Sequence, residues 1–153
     1  MEFDLEVTID RPVAEVFAYV ADIRNVPEWQ ESAVSAEWLD DGRRFRERRH
    51  FLGRDADVEL EVTALEPDRR FDVRAVKAPV KFEIRHSFEP VDGGTRVGVY
   101  GKAKLAGALR LAAGMARRQA EHQFRRDFER LKELLEGRGE ESPSDRPPRL
   151  ADD

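Results

Sequence analysis

Polar and apolar positions alternate strictly at the start of the chain. Phe3, Leu5, Val7 and Ile9 stand against Glu2, Asp4, Glu6 and Thr8. A period of two buries one face, so Glu2–Ile9 is predicted as a strand. The period then lengthens. Val13, Val16, Phe17 and Val20 recur at helical spacing, Asp10 can cap, and Pro12 fits a first turn, which predicts a helix over Pro12–Asp22. Pro27 interrupts any continuation and leaves a second short helical segment, Arg24–Trp29. From Ser32 the period returns to two, and six strands follow in succession. Val34, Ala36 and Trp38 share a face before Asp40-Asp41-Gly42 turns the chain. Phe45 to Phe51 forms the next strand and ends at Gly53. Val58, Leu60 and Val62 mark another, and Phe71, Val73 and Ala75 the one after the Pro67-Asp68 turn. Beyond Ala78-Pro79, Val80, Phe82, Ile84, His86 and Phe88 alternate with Lys81, Glu83, Arg85 and Ser87. Asp92-Gly93-Gly94 turns the chain into the strand of Val97, Val99, Gly101 and Ala103. Connections this short make antiparallel neighbours.

One long helical pattern, Leu105–Glu136, closes the domain. Its stripe carries Leu109, Ala113, Ala116, Ala120, Phe124, Leu131 and Leu135. Alanine lines the first half, and small residues either let a helix sit close to a sheet or leave room for a ligand. After Gly137 the chain turns to Glu, Ser, Pro, Arg and Asp, so 138–153 is expected to be a disordered charged tail.

Composition narrows the class. The 153 residues suit one domain, with 40% apolar and 39% charged residues. A net charge of −5 argues against nucleic acid as the partner of the whole protein. Without cysteine there is no disulfide framework, no thiolate nucleophile and no cysteine metal site. The three histidines, His50, His86 and His122, have no ligand spacing, so no metal is expected. No glycine-rich phosphate loop follows a strand, and no serine sits in an elbow motif, so no cofactor is expected either. There is no apolar run of membrane length, and the chain opens on Glu2 and Asp4 instead of a basic segment, which predicts a cytoplasmic protein.

Four stretches taken in order carry a resemblance. They are IDRPVAEVFAYVADIRNVPEWQ (Ile9–Gln30), VTALEPDRRFDVR (Val62–Arg74), FEPVDGGTRV (Phe88–Val97) and RRDFERLKELLEG (Arg125–Gly137). Together they resemble the START-like, or SRPBCC, superfamily, in particular its polyketide cyclase/dehydrase and lipid-transport branch. The resemblance spans about residues 2–137, and a START-like ligand-binding domain is expected over 1–137. It implies the α+β helix-grip fold: a seven-stranded curved antiparallel sheet in the order β-α-α-β6-α, wrapped around a long C-terminal helix. It leaves function open, because the superfamily holds carriers, receptors and enzymes alike.

The inward faces of such a sheet nominate a cavity lining. Phe45, Leu60, Phe71, Val73, Phe82, Ile84 and Val99 come from strands, and Leu109, Ala113, Ala116 and Phe124 from the helix. Trp29 and Trp38 stand beside them as pocket or core aromatics. Three polar residues share inward faces. His86 lies among Phe82, Ile84 and Phe88, where an imidazole either moves a proton or is simply a hydrogen-bonded strand residue. Glu47 and Arg49 lie between Phe45 and Phe51, where charges must pair with each other, meet a polar ligand group or reach solvent at an open end. Asp127, between Phe124 and Leu131, reads as the edge of the helical stripe. Arg44, Arg46, Arg48 and His50 share the opposite strand face, and Arg117, Arg118, Arg125 and Arg126 add to the long helix. That basic surface is either an anionic contact, such as a membrane surface, or a solvated face paired with Glu59, Glu61 and Glu83.

Three functions follow from these residues. The first is a carrier for a lipid-like, polyketide-like or aromatic molecule, with Glu47, Arg49 and His86 orienting its polar groups. The second, by analogy with the cyclase/dehydrase branch, is an enzyme using His86 as general acid/base, with Arg49 stabilising an enolate. The third is an interaction module using the basic helix face.

Overall fold

A computed structural model describes residues 1–40, 42–51 and 53–140. Strand β1 (Glu2–Ile9) is followed by α1 (Val13–Ala21), a 3-10 turn (Ile23–Asn25) and α2 (Val26–Trp29). Six strands come next: β2 (Ala33–Trp38), β3 (Arg44–Phe51), β4 (Arg54–Glu66), β5 (Arg70–Lys77), β6 (Lys81–Val91) and β7 (Gly94–Lys104). A 3-10 segment (Gly107–Ala112) leads into α3 (Ala113–Glu140). The helix-grip fold is thus present, with a curved seven-stranded sheet around the long helix.

Every strand pairing is antiparallel, in the order β1-β7-β6-β5-β4-β3-β2. β1 and β2 are successive strands at opposite edges of the sheet, so α1 and α2 must carry the chain across its full width. Their apolar stripe, Val16, Phe17, Val20, Ile23, Val26 and Trp29, is buried in the crossing. Phe17 meets Phe88 of β6 edge-on at 5.2 Å, and Trp29 meets Phe128 of α3 at 4.9 Å. The β6–β7 hairpin turns through Asp92 and Gly93 at φ 46° and 83°. Two left-handed residues in succession match the twist of the flanking strands.

Three boundaries differ from expectation. The predicted helix Arg24–Trp29 is split into a 3-10 turn and a single α turn. The predicted start of the long helix at Leu105 fails, because Gly107 is at φ 61° and Gly107–Ala112 winds as a 3-10 segment with no buried residue. An unpacked segment has no tertiary contact to hold α geometry. Helix α3 also runs past Gly137, so residues 138–140 belong to it, while 141–153 of the expected tail lie outside the described residues.

Val34, Ala36 and Trp38 do not share one face as expected. The β2–β3 register shifts between Ala33 and Ser35, so Ala33 is buried and Val34 is 51% exposed. A bulge of one residue moves side chains to the other face of the sheet.

The outer face of β3 reads as ion-paired. Arg46 reaches Glu37 at 3.4 Å and Glu59 at 3.5 Å, and Arg48 reaches Asp57 at 3.1 Å. Arg44 and Arg74 both pair with Glu61. Exposed pairs of this kind stabilise little individually, but they account for the arginines without an external anion. Among the described residues no helix is long and apolar enough to cross a membrane.

Candidate functional site

A cavity of about 300 Å³ lies between the sheet and α3. The sheet supplies Phe3 of β1, Phe45 of β3, Leu60 of β4, Phe71 and Val73 of β5, and Phe82 and Ile84 of β6. The crossing helices add Val20, Ile23, Val26 and Trp29, and α3 adds Ala120, Phe124 and Phe128. Phe3 and Phe124 meet edge-on at 4.9 Å, tying the edge strand to the helix above it. Gly101 also lies in the wall, and the position takes a glycine because a Cβ there would come within 2.6 Å of the Phe3 ring. The Trp29 indole N–H is buried with no hydrogen-bond acceptor among the described residues.

Polar groups collect on one shelf of this wall. β3 continues past Phe45 with Glu47 and Arg49 on the same face. Arg49 Nε donates to Glu47 Oε2 at 2.7 Å, and its Nη2 lies 2.5 Å from the same oxygen. Its Nη1 donates to Ser32 Oγ at 2.8 Å, and Nη2 also donates to Gln30 Oε1. The chain leaving α2 therefore helps to hold the guanidinium. From α3, Asp127 Oδ1 accepts the Glu31 backbone N–H at 3.2 Å and Gln123 Nε2 at 2.8 Å. Burial pushes the Asp127 carboxyl above its ordinary range, against those two hydrogen bonds and the nearby Arg49 charge.

His86 is buried between aromatic rings, 5.7 Å from Phe71 and 5.9 Å from Phe128. Its Nδ1 lies 2.8 Å from the Phe71 carbonyl oxygen. A carbonyl can only accept, so Nδ1 carries the proton and Nε2 keeps the lone pair. Desolvation holds the imidazole below its usual pKa despite that hydrogen bond and the Asp72 charge, so the ring is neutral.

Of the residues nominated from sequence, Trp29, Phe45, Glu47, Arg49, Leu60, Phe71, Val73, Phe82, Ile84, His86 and Phe124 line one cavity. Trp38, Val99, Leu109, Ala113 and Ala116 do not. Trp38 packs outside it against Phe45 at 5.5 Å, and Val99 is buried in the core. Leu109 is 54% exposed on the unpacked 3-10 segment, and Ala113 and Ala116 precede the part of α3 that covers the void. Asp127, expected at the edge of the stripe, is buried in the cavity wall. Phe128 was missing from the expected stripe, although its spacing of four from Phe124 and three from Leu131 is a helical signal. Gln30, Ser32 and Gln123 carried no signal, since only the tertiary fold brings them to Arg49 and Asp127.

A curved sheet, a gripping helix and a mostly apolar cavity with a polar shelf define the geometry. The sequence profile of the family described as polyketide cyclase / dehydrase and lipid transport matches residues 1–136. The chain belongs to this family. A protein from Deinococcus radiodurans is 28% identical, with 90% of this chain and 99% of that chain covered at a TM-score of 0.69. A START superfamily protein from Mycobacterium smegmatis is 17% identical over 88% of this chain and 98% of its own, with a TM-score of 0.72. The di-domain aromatase/cyclase BexL of the BE-7585A biosynthetic pathway is 20% identical over 89% of this chain and 46% of its own, with a TM-score of 0.75. Among curated protein sequences none matches significantly. The neighbours of this polyketide cyclase/dehydrase and lipid-transport family member thus include an aromatase/cyclase as well as a START superfamily protein, and at these identities the last two share its fold alone.

Proposed function

We propose that the domain binds and carries a hydrophobic small molecule, lipid-like, polyketide-like or aromatic, between the sheet and α3. The observation that supports this reading is the cavity of about 300 Å³, walled chiefly by aromatic and aliphatic side chains. That volume is at the lower end of small-molecule sites. Burial of a ligand's apolar surface supplies the affinity, at about 25 cal/mol per Å² removed from water. Glu47, Arg49 and His86 orient its polar groups. Native mass spectrometry after gentle purification, together with titration of the neutral dye N-phenyl-1-naphthylamine, tests the proposal. A co-purified molecule or a saturable rise in dye fluorescence is expected, and Ile84→Trp, which fills the cavity, should abolish the dye signal. Folded protein with neither a bound molecule nor dye uptake would sink it.

One observation favours an enzymatic reading as the second choice. His86 lies in the cavity wall as a neutral imidazole with a free lone pair, the form a general base requires. The enolate role considered for Arg49 is weakened, because Glu47 already matches its charge. On this reading His86→Gln keeps dye binding and loses turnover of a cyclisable polyketide. Equal turnover by both proteins would remove His86 from the chemistry.

A further inference from the structure

Large apolar side chains exposed to water are single over most of this molecule and gathered in one stretch. Val34, Leu39, Leu65 and Val76 stand apart from one another, on β2, the turn after it, β4 and β5. Isolated residues of this kind are normal on a protein surface. Leu109, Leu111 and Met115 instead follow closely in the 3-10 segment and the first turn of α3. From Leu105 to Ala116 the chain carries a single charged residue, Arg110, and no residue from Lys102 to Gln119 is buried. The charge of the stretch is also one-sided. Lys102, Lys104, Arg110, Arg117 and Arg118 lie between Gly101 and Ala120 with no acidic residue among them, in a chain of net charge −5. Arg117 reaches Glu121 at 3.5 Å, and the other four have no ion pair among the described residues, Glu83 being paired with Arg85. Lys81 stands directly opposite Lys104 at the end of the sheet from which the segment departs. Like charges so placed cost stability, so folding does not account for them.

We infer that the segment Leu105–Arg118 docks the domain on an anionic lipid surface. Leu109, Leu111 and Met115 enter the boundary between headgroups and acyl chains, while the lysines and arginines keep their charged ends among the phosphates. Each cation near such a surface adds to the attraction, and the acidic remainder of the chain is held off by the same field. That division orients the molecule, with this segment down. A second copy meeting through the same patch would set the cations against one another. A bilayer offers an apolar layer and an anionic surface together, which is the combination this stretch matches. The segment also leaves the cavity wall at Ala103 and returns to it at Ala120. A docked domain would therefore hold its cavity beside the bilayer. The inference goes beyond the carrier reading and does not require the cavity to be occupied.

Co-sedimentation of the full chain with vesicles tests this, using equal parts phosphatidylcholine and phosphatidylglycerol against phosphatidylcholine alone. Wild type should bind the anionic vesicles at least about ten-fold more tightly, the factor that one or two cations supply at such a surface. The triple variant Leu109→Gln, Leu111→Gln, Met115→Gln should lose at least about ten-fold on anionic vesicles, because its apolar contact is gone. The double variant Arg110→Glu, Arg118→Glu should lose at least as much. None of these five side chains lines the cavity, so both variants should melt like wild type and take up N-phenyl-1-naphthylamine equally. Wild type that binds neither vesicle, or both equally, overturns the inference. Undiminished binding by the triple variant overturns it too, since the attraction would then be charge alone. A concentration-dependent dimer that the triple variant abolishes, without vesicle binding, would assign the patch to a second copy instead. Dye uptake without vesicle binding sinks the docking and leaves the carrier reading standing. Vesicle binding by a folded protein that takes up no dye does the reverse.

Discussion

The two halves of α3, the first taken with the 3-10 segment before it, both carry large apolar side chains and meet different fates. Toward the C-terminus Phe128, Leu131 and Leu135 are essentially inaccessible, packed where α2, β1 and the helix converge. Toward the N-terminus, together with the 3-10 segment before it, Leu109, Leu111 and Met115 are 54%, 93% and 66% exposed. Between them Ala120, Gln123, Phe124 and Asp127 cover the cavity. Periodicity states which face of a helix is apolar. It does not state whether another surface reaches that face. Here α2 backs α3 only toward its C-terminus, so one half is core, the middle is a roof and the beginning is bare.

The sharpest break of this comparison is mutational. Phe128→Ala should cost about 3–5 kcal/mol, since it removes a buried aromatic ring that packs against Trp29 and His86. Leu111→Ala should stay within about 0.5 kcal/mol. Urea melts of the two variants measure both, and similar midpoints would mean that the two halves are not packed differently.

The next effect is a pH dependence. His86 is held below its ordinary pKa in the folded state, so the unfolded chain binds the proton first. Stability should therefore fall as pH drops below about 6.5, the ordinary histidine value, and keep falling toward the depressed folded value. His86→Gln should flatten that slope between pH 7 and 5. A slope identical to wild type would locate the sensitivity elsewhere.

The smallest effect has the opposite sign. Asp127 is raised, so the folded state binds its proton first, and the ionised carboxylate is a cost at neutral pH. Asp127→Asn should raise the melting temperature slightly at pH 7, and the gain should vanish below the ordinary carboxylate range. A loss of stability at pH 7 would show that the charge is compensated by more than Gln123, Glu31 and Arg49.

Alternation made the strands legible, and with them the inward positions Phe45, Phe71, Phe82 and His86. It also put Glu47 and Arg49 on the same face as Phe45 and Phe51, because a period of two assigns faces without reference to neighbours. What it could not separate was inward from cavity-facing. Val99 points inward and is simply core, whereas Phe82 points inward near the open end. Trp38 is the same case as Val99: it points inward opposite Phe45 and packs on that ring outside the cavity, while the bulge in β2 turns only Val34 outward. The shelf was half visible. Arg49 and Glu47 could be seen, but Gln30, Ser32 and Asp127 join them only through contacts between residues up to 96 positions apart.

The orphan indole of Trp29 has an optical consequence. The protein has two tryptophans, one in the cavity wall and one outside it against Phe45. Emission from Trp29 arises in an enclosed apolar setting and that from half-buried Trp38 in a wetter one, so the two contributions should separate by wavelength. A guest entering the cavity perturbs the blue component and leaves the red one as an internal standard. Occupancy could thus be followed in the unlabelled wild-type chain, with Trp38→Phe isolating the signal.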